Sequence, residues 1–332
     1  MERQPLHDPT RRVDPDLQVC LQWQEGPDRG RPQDRWNLVA GEKGDCAIEH
    51  LGDMSWNSLT TAACQAGVDC VGERWTVANS AQLARLIAII AMGQVSQAAH
   101  IVSSLTSAAP AFSLAELRSE AMVRLTVQDT PQTPRIGYPR WQRDGFMFEA
   151  ISWIAARQSH SPAVLLKDPH VSATSQGLDG LMIVLAPDKS VVESTTIFED
   201  KCTDNPKSIF EGKVMAGFRE RHDNKRSAEI IATASALLTR AGISDEFAAR
   251  MAAAVTDRKR RHYRAAVTTV ADLDSDIARA SIFSTYGELD GITTSQRQAA
   301  CFIVPGDLRS WFDQLGLQAV AYLKSLEDDL NV

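Results

Sequence analysis

Gly177-Leu178-Asp179-Gly180-Leu181-Met182-Ile183-Val184-Leu185-Ala186, followed by Ile197-Phe198-Glu199-Asp200-Lys201, sets two apolar runs close together in the chain, each with charged residues at one end. An aspartate opens one apolar run, and a Glu-x-Lys ends the next. Between the runs stands Pro187-Asp188-Lys189-Ser190, a turn signal because Pro presets φ and Asp and Ser favour turn positions. A hairpin turning near residues 188–190 sets Asp179 against position 198 or 199, depending on loop length. Directly opposed residues have Cβ atoms roughly 4.5–5.5 Å apart. Glu199 and Lys201 are two residues apart and leave one face of their strand. Two carboxylates and an ammonium then converge on a sheet, in the outline of a divalent-metal and water-activation site.

The triplet by itself carries little weight. With 42 acidic residues and nine lysines in 332 positions, about one acidic-x-Lys triplet is expected at random. The chain has four: Glu199-Asp200-Lys201, Glu211-Gly212-Lys213, Asp223-Asn224-Lys225 and Asp257-Arg258-Lys259. Only the first ends a β-branched run (Val191, Val192, Thr195, Thr196, Ile197) and follows an Asp-led apolar strand. Context selects it.

Working outward, 44% hydrophobic and 23% charged residues suit one large or two modest globular domains. A net charge of −7 excludes a generally basic protein that coats nucleic acid, while leaving room for local basic patches. The chain opens MERQPLHDPTRR without an apolar signal region. Its longest apolar stretch, Leu83–Met92, contains Arg85 and is too short for a bilayer. Six cysteines (20, 46, 64, 70, 202, 301) lack zinc-ligand spacing. A cytoplasmic protein with no membrane segment is the expectation.

Residues 1–36, rich in Pro, Arg, Asp and Gln, read as an irregular leader. Residues 37–130 read as an N-terminal accessory region, largely helical. Short apolar pieces around Trp56 and Trp75 in it stay unassigned, as does the region around Trp36 at its start. Asn79 or Ser80 caps a predicted helix reaching Ser104, with a stripe at 83, 86, 87, 90, 94, 98, 101 and 102 that is apolar except for Gln94. Ser113-Leu114-Ala115-Glu116 has the form of a capping box for a helix to Leu125. Thr130–Pro139, with three prolines and a glycine, predicts a boundary, and residues 139–332 the main domain. There Trp141–Gln158 reads as an amphipathic helix with Glu149 on or beside its apolar surface. The run at 178–186 is apolar on both faces, as in a central, doubly covered strand. Helices are expected from Pro206 to Phe218, over Ser227–Ala241, over Asp245–Asp257, and from Leu308 to Leu326 capped by Asp307. His262–Val270 and Arg297–Val304 read as strands. The fold class is α/β: a mixed sheet flanked by helices.

A helix bearing a glutamate, a hairpin with Asp on one strand and Glu-x-Lys on the next, then a helix and another strand, resembles the PD-(D/E)XK nuclease superfamily. The resemblance covers roughly residues 140–305 and implies a restriction-endonuclease-like core. It assigns Asp179 and Glu199 as metal ligands, Lys201 as the catalytic lysine and Glu149 as the helical glutamate. The proline of the superfamily's name is replaced by Leu178. Asp200–Pro206 and Arg143-Asp144-Gly145-Phe146 are similar to bacterial nucleases found beside antiviral genes, the Hachiman-type nuclease subunit among them.

The implied chemistry is hydrolysis of DNA phosphodiesters with Mg²⁺ or Mn²⁺, held by Asp179, Glu199 and the carbonyl of Asp200. Lys201 would orient or deprotonate the attacking water and offset developing charge, and Glu149 would complete the shell or hold a second ion. Blander readings stand beside these. Asp179 also reads as a strand-start residue bonding local amides, Glu199 and Lys201 as an exposed edge pair, and Glu149 as a helix boundary position. Arg258, Lys259, Arg260, Arg261 and Arg264 form a basic cluster suited to phosphates, and Arg219, Arg221, His222, Lys225 and Arg226 a second. Lys and Arg near helix ends equally serve as dipole partners. His160 and His170 lack partner spacing and read as structural; Cys202, next to the lysine, is not a nucleophile on this reading. The expected setting is antiphage defence, with DNA and a helicase or regulator from the same operon as partners; homo-oligomerisation is left open. The alternatives are a catalytically inactive nucleic-acid-binding or scaffold subunit, or a metal enzyme acting on a nucleotide or small phosphate.

Overall fold

A computed structural model of the chain describes residues 57–170 and 177–329. The hairpin signal is realised as β4 (Gly180–Leu185) and β5 (Val192–Lys201), joined through Lys189 at φ 58°. Asp188 Oδ1 accepts from the Ser190 backbone amide at 3.0 Å, closing the turn with a side chain. The register sets Gly180 against Phe198, so Asp179, one residue earlier, lies opposite Glu199. Gly180 is required by that pairing: a Cβ there would stand 2.4 Å from Phe198 Cδ2. Gly180→Ala should therefore destabilise the protein by about 1–3 kcal/mol, as overpacking does. Urea denaturation checks this; an unchanged midpoint would mean that the Phe198 ring yields freely.

Five more strands complete one mixed sheet. They are β1 (Leu59–Cys64), β2 (Val71–Val77), β3 (Leu165–Leu166), β6 (Arg261–Val270) and β7 (Arg297–Val304). The order is β1-β2-β7-β6-β5-β4-β3. The inner strands β2, β7, β6 and β5 run parallel to one another, and β1, β4 and β3 run antiparallel to their neighbours. The two strands expected at 262–270 and 297–304 are thus present. By contrast, β4 lies one place from the edge, and its end, Val184 and Leu185, is only half-buried.

The helices are α1 (Ser80–Ala91), α2 (Val95–Ser104), α3 (Ala115–Leu125), α4 (Arg140–Ser159), α5 (Pro206–Ile209), α6 (Met215–His222), α7 (Ser227–Arg240), α8 (Asp245–Ala252), α9 (Asp276–Ile282) and α10 (Leu308–Ser325). A π-helical turn, Phe210–Val214, joins α5 to α6. Side chains of alternate strand residues feed two cores. Trp75, Met182, Phe198, Ala266 and Phe302 pack with α1, α4 and α10 on one face; Leu181, Ile183, Ile197, Tyr263 and Val267 pack with α6, α7 and α8 on the other.

Three expectations change. The helix predicted from Asn79 to Ser104 is two, because Gly93 at φ 81° breaks it between Ala91 and Val95; Asn79 does cap the first, accepting from the Gln82 amide at 2.9 Å. The capping box at Ser113 does not form: Leu114 is the cap position, and the Ser113 hydroxyl accepts from Arg118 instead. Nor is 57–130 a separate, largely helical region. Its β2 pairs with β7, Trp75 opposite Phe302, and α1 packs on α10. The segment 130–139 is therefore a connection within one body, folded back where the Gln128 side chain accepts from the Gly137 amide. The leader at 1–36, with Trp36 and Trp56, lies outside the described residues. No helix among the described residues is long and apolar enough to cross a membrane.

Candidate active site

The end of β5 and the start of β4 bring Asp179, Glu199 and Lys201 together. Lys201 Nζ lies 2.7 Å from Asp179 Oδ2 and 2.9 Å from Glu199 Oε2. It also donates to the Asp200 carbonyl at 3.1 Å. The Asp200 amide donates to Asp179 Oδ2 at 2.8 Å, fixing the aspartate through backbone as well as side chain. All three side chains are partly buried, so their charges interact across little water. Burial opposes the Lys201 ammonium, yet Asp179 and Glu199 together hold its pKa above the ordinary lysine value. Of the roles expected for Lys201, donor and counter-charge fit these distances.

Asp200 divides by atom. Its carbonyl faces the cluster, while its carboxylate leaves the opposite face of β5 and sits 3.5 Å from Arg264 Nη2. The carboxylate is thus not among the groups that could hold an ion at Asp179 and Glu199. Burial pushes it up to about 7, against the pull of Arg264.

Glu149, midway along α4, is held elsewhere. Its Oε1 accepts from the His170 amide at 2.8 Å and its Oε2 lies 3.0 Å from His170 Nδ1, with Lys167 Nζ 4.0 Å away. It makes no hydrogen bond to Asp179, Glu199 or Lys201 among the described residues and reaches the cluster through its field at Asp200. His170, read from sequence as structural, is its partner, and no spacing between positions 149 and 170 announces that. His160 Nδ1 meets the Ala156 carbonyl one turn back at 3.0 Å. Burial pushes the Cys202 thiol up to about 12, in keeping with a cysteine that is no nucleophile.

The basic clusters separate into surface and interior. Arg258 and Lys259 are exposed and Arg260 is half-buried. Arg261 and Arg264 are buried, which removes them from an exposed phosphate-binding face. Arg261 donates to the carbonyls of Arg221 at 2.6 Å and Val255 and to Asn224 Oδ1, tying down the end of α6. Arg264 is pressed on the Phe198 ring, 3.4 Å from its centroid, with Trp75 on another side at 5.2 Å. In the other cluster Arg219 pairs with Glu288, Lys225 with Asp223 and Arg226 with Glu229, while His222 Nδ1 meets the Tyr263 hydroxyl at 3.1 Å. Arg221 is buried and donates to Glu199 Oε1. Its place in the site was hidden because in sequence it is one arginine of a basic run.

Among the described residues no group of three or more His, Cys, Asp or Glu is gathered as a metal cage. A Mg²⁺ or Mn²⁺ site needs less, because such ions keep several waters and take one or two carboxylates. Asp179, Glu199 and the Asp200 carbonyl supply hard oxygen donors of that kind, gathered around Lys201 Nζ at 2.7, 2.9 and 3.1 Å, so the donor chemistry fits an ion beside that ammonium. No protein-family model matches the chain, and no curated protein matches it.

Proposed function

We propose that this protein is a metal-dependent nuclease cutting DNA phosphodiesters at Asp179, Glu199 and Lys201. The observation that carries the reading is the convergence of both carboxylates on Lys201 Nζ, at 2.7 and 2.9 Å, from adjacent strands. The surrounding order supports it: α4, then the antiparallel run β3, β4, β5, then the helices α5 to α8, then β6 parallel to β5. That is the order implied by the PD-(D/E)XK resemblance, with a restriction-endonuclease-like core.

Asp179, Glu199 and the Asp200 carbonyl would hold the Mg²⁺ or Mn²⁺. Bound there, the ion would neutralise phosphate charge and acidify water. The protein's own part is then positional. The Asp200 amide keeps Asp179 oriented, and Lys201 presents an ammonium to the oxygen on which negative charge grows. Arg258, Lys259 and Arg260 lie at the far end of β5 from this cluster, where Arg260 donates to the Val192 carbonyl and Arg258 to the His222 carbonyl, so they are not assigned to the phosphate that would be cut. Phage DNA as the target, and a helicase or regulator as partner, follow from the likeness to Hachiman-type subunits.

The test is cleavage of linear, circular and single-stranded DNA in Mg²⁺ or Mn²⁺, with EDTA as control. Cleavage in the metal and none in EDTA is the expected outcome. Cleavage that survives EDTA would sink the metal-dependent reading. A wild type that binds Mn²⁺ and DNA but never cuts, alone or with the neighbouring gene's product, would favour the scaffold reading.

A further inference from the structure

Glu199 is held from two sides. Oε2 faces Lys201 Nζ at 2.9 Å, and Oε1 accepts from Arg221 Nη1. Arg221 is 1% exposed, so this second cation has no access to water. Its guanidinium lies in a cradle on α6, where Gly217 stands one turn before it. A Cβ at Gly217 would fall 3.1 Å from Arg221 Nη1 and 3.4 Å from Glu199 Oε1, so the helix surface is hollowed under the ion pair. The π-turn at Phe210–Val214 offsets the phase of α6 from α5. The buried Arg261 fixes the far end of α6 by donating to the Arg221 carbonyl at 2.6 Å. Three separate features thus deliver one guanidinium to one carboxylate oxygen.

We infer that Arg221 is a positioning residue that aims Glu199 and at the same time sets how strongly the site binds a divalent cation. The inference rests on the metal-dependent reading above. With Arg221 counted, Asp179 and Glu199 are balanced by two cations, Lys201 and Arg221, and the cluster carries no net charge. The ion must therefore enter against two fixed positive charges. Removing Arg221 leaves the cluster with one net negative charge. Over a few ångströms in a part-buried site that favours a doubly charged ion far more than the freed side-chain rotation of Glu199 disfavours it. Affinity and activity should then move in opposite directions. A merely structural arginine would lower both.

The experiment is titration of the full-length protein with Mn²⁺ alone, followed by the electron paramagnetic resonance signal of free Mn²⁺, alongside DNA cleavage. Arg221→Met should bind Mn²⁺ at least about tenfold more tightly than wild type, and cleave about a hundredfold more slowly because Glu199 is no longer aimed. Arg221→Lys keeps the charge and should hold wild-type affinity within about threefold, with cleavage between the two. Gly217→Ala keeps the helix, since alanine favours it, and its Cβ, 3.1 Å from Arg221 Nη1, makes the guanidinium give by a few tenths of an ångström and loosens its contact with Glu199; tighter Mn²⁺ binding of about twofold is expected. That variant decides the question if Arg221→Met does not fold. Wild-type binding with no gain in either folded variant would overturn the role of Arg221 alone. Absence of Mn²⁺ binding by wild type and every variant would overturn the metal site and this inference together.

Discussion

Lys201→Ala should lower DNA cleavage by about a thousandfold, the scale on which a single preorganised charge donor acts in a site shielded from water. Three observations set that expectation: Nζ meets both carboxylates, it donates to the Asp200 carbonyl, and it is held as an ammonium. Its removal leaves Asp179 and Glu199 facing each other without their shared cation, so Mn²⁺ binding should persist or tighten while turnover collapses. Single-turnover cleavage and an ion titration on the same preparation separate the two effects. Cleavage within tenfold of wild type would mean that the hairpin is not the reacting centre. A stability effect accompanies it. Because the folded pKa of Lys201 lies above its ordinary 10.5, the ion pairing stabilises the fold fully below that value and is lost as pH rises through the folded one. Wild type should lose this contribution only in strongly alkaline solution, and Lys201→Ala should lack it throughout.

Arg264→Ala should destabilise the protein by about 3–5 kcal/mol, the range for breaking a buried ion pair from one side. Arg264 is 5% exposed, lies against the Phe198 and Trp75 rings, and donates to the Ser152 hydroxyl. Its loss leaves a gap between the rings and strands the Asp200 carboxylate. Burial already pushes Asp200 up to about 7 with Arg264 opposing the shift, so without the guanidinium its pKa climbs further. A carboxyl with a raised folded pKa binds its proton more tightly folded than unfolded, and stability falls as pH rises from the ordinary 3.8 to the folded value. The variant should therefore be markedly less stable at pH 8 than at pH 5. Adding Asp200→Asn should remove that slope. Urea denaturation at both pH values measures it, and a pH-independent loss would show that Asp200 is not the group left unpaired.

Much of the core was legible from residues alone, for identifiable reasons. The 178–201 hairpin announces itself through an apolar run, a Pro-Asp turn and a β-branched run, and its register brings together the three side chains expected to meet. Strands β6 and β7 are long and apolar enough to stand out. The β1–β2 hairpin is not: its burial alternates irregularly, and Gly72, Glu73 and Arg74 interrupt β2 beside the buried Trp75. Side-chain destinations were least visible. Arg258, Arg261 and Arg264 look alike in one basic run, but the strand that begins at Arg261 carries the latter two into the interior. Which guanidinium meets Glu199 depends on a wide helical turn and a glycine hollow, and neither has a sequence signature.

The pairing of β2 with β7 bears on how the chain matures as it is made. Synthesis delivers the β1–β2 hairpin well before its parallel neighbour β7, with helices α1 to α9 and strands β3 to β6 between them in the chain. An isolated two-stranded hairpin is marginal in water, and parallel pairing across such a separation is slow to close. The growing polypeptide must therefore carry an unpaired strand edge, with Trp75 uncovered, until residues near Phe302 leave the ribosome. Completion of the sheet waits for β7, and the open edge of β2 is exposed to wrong pairing until then.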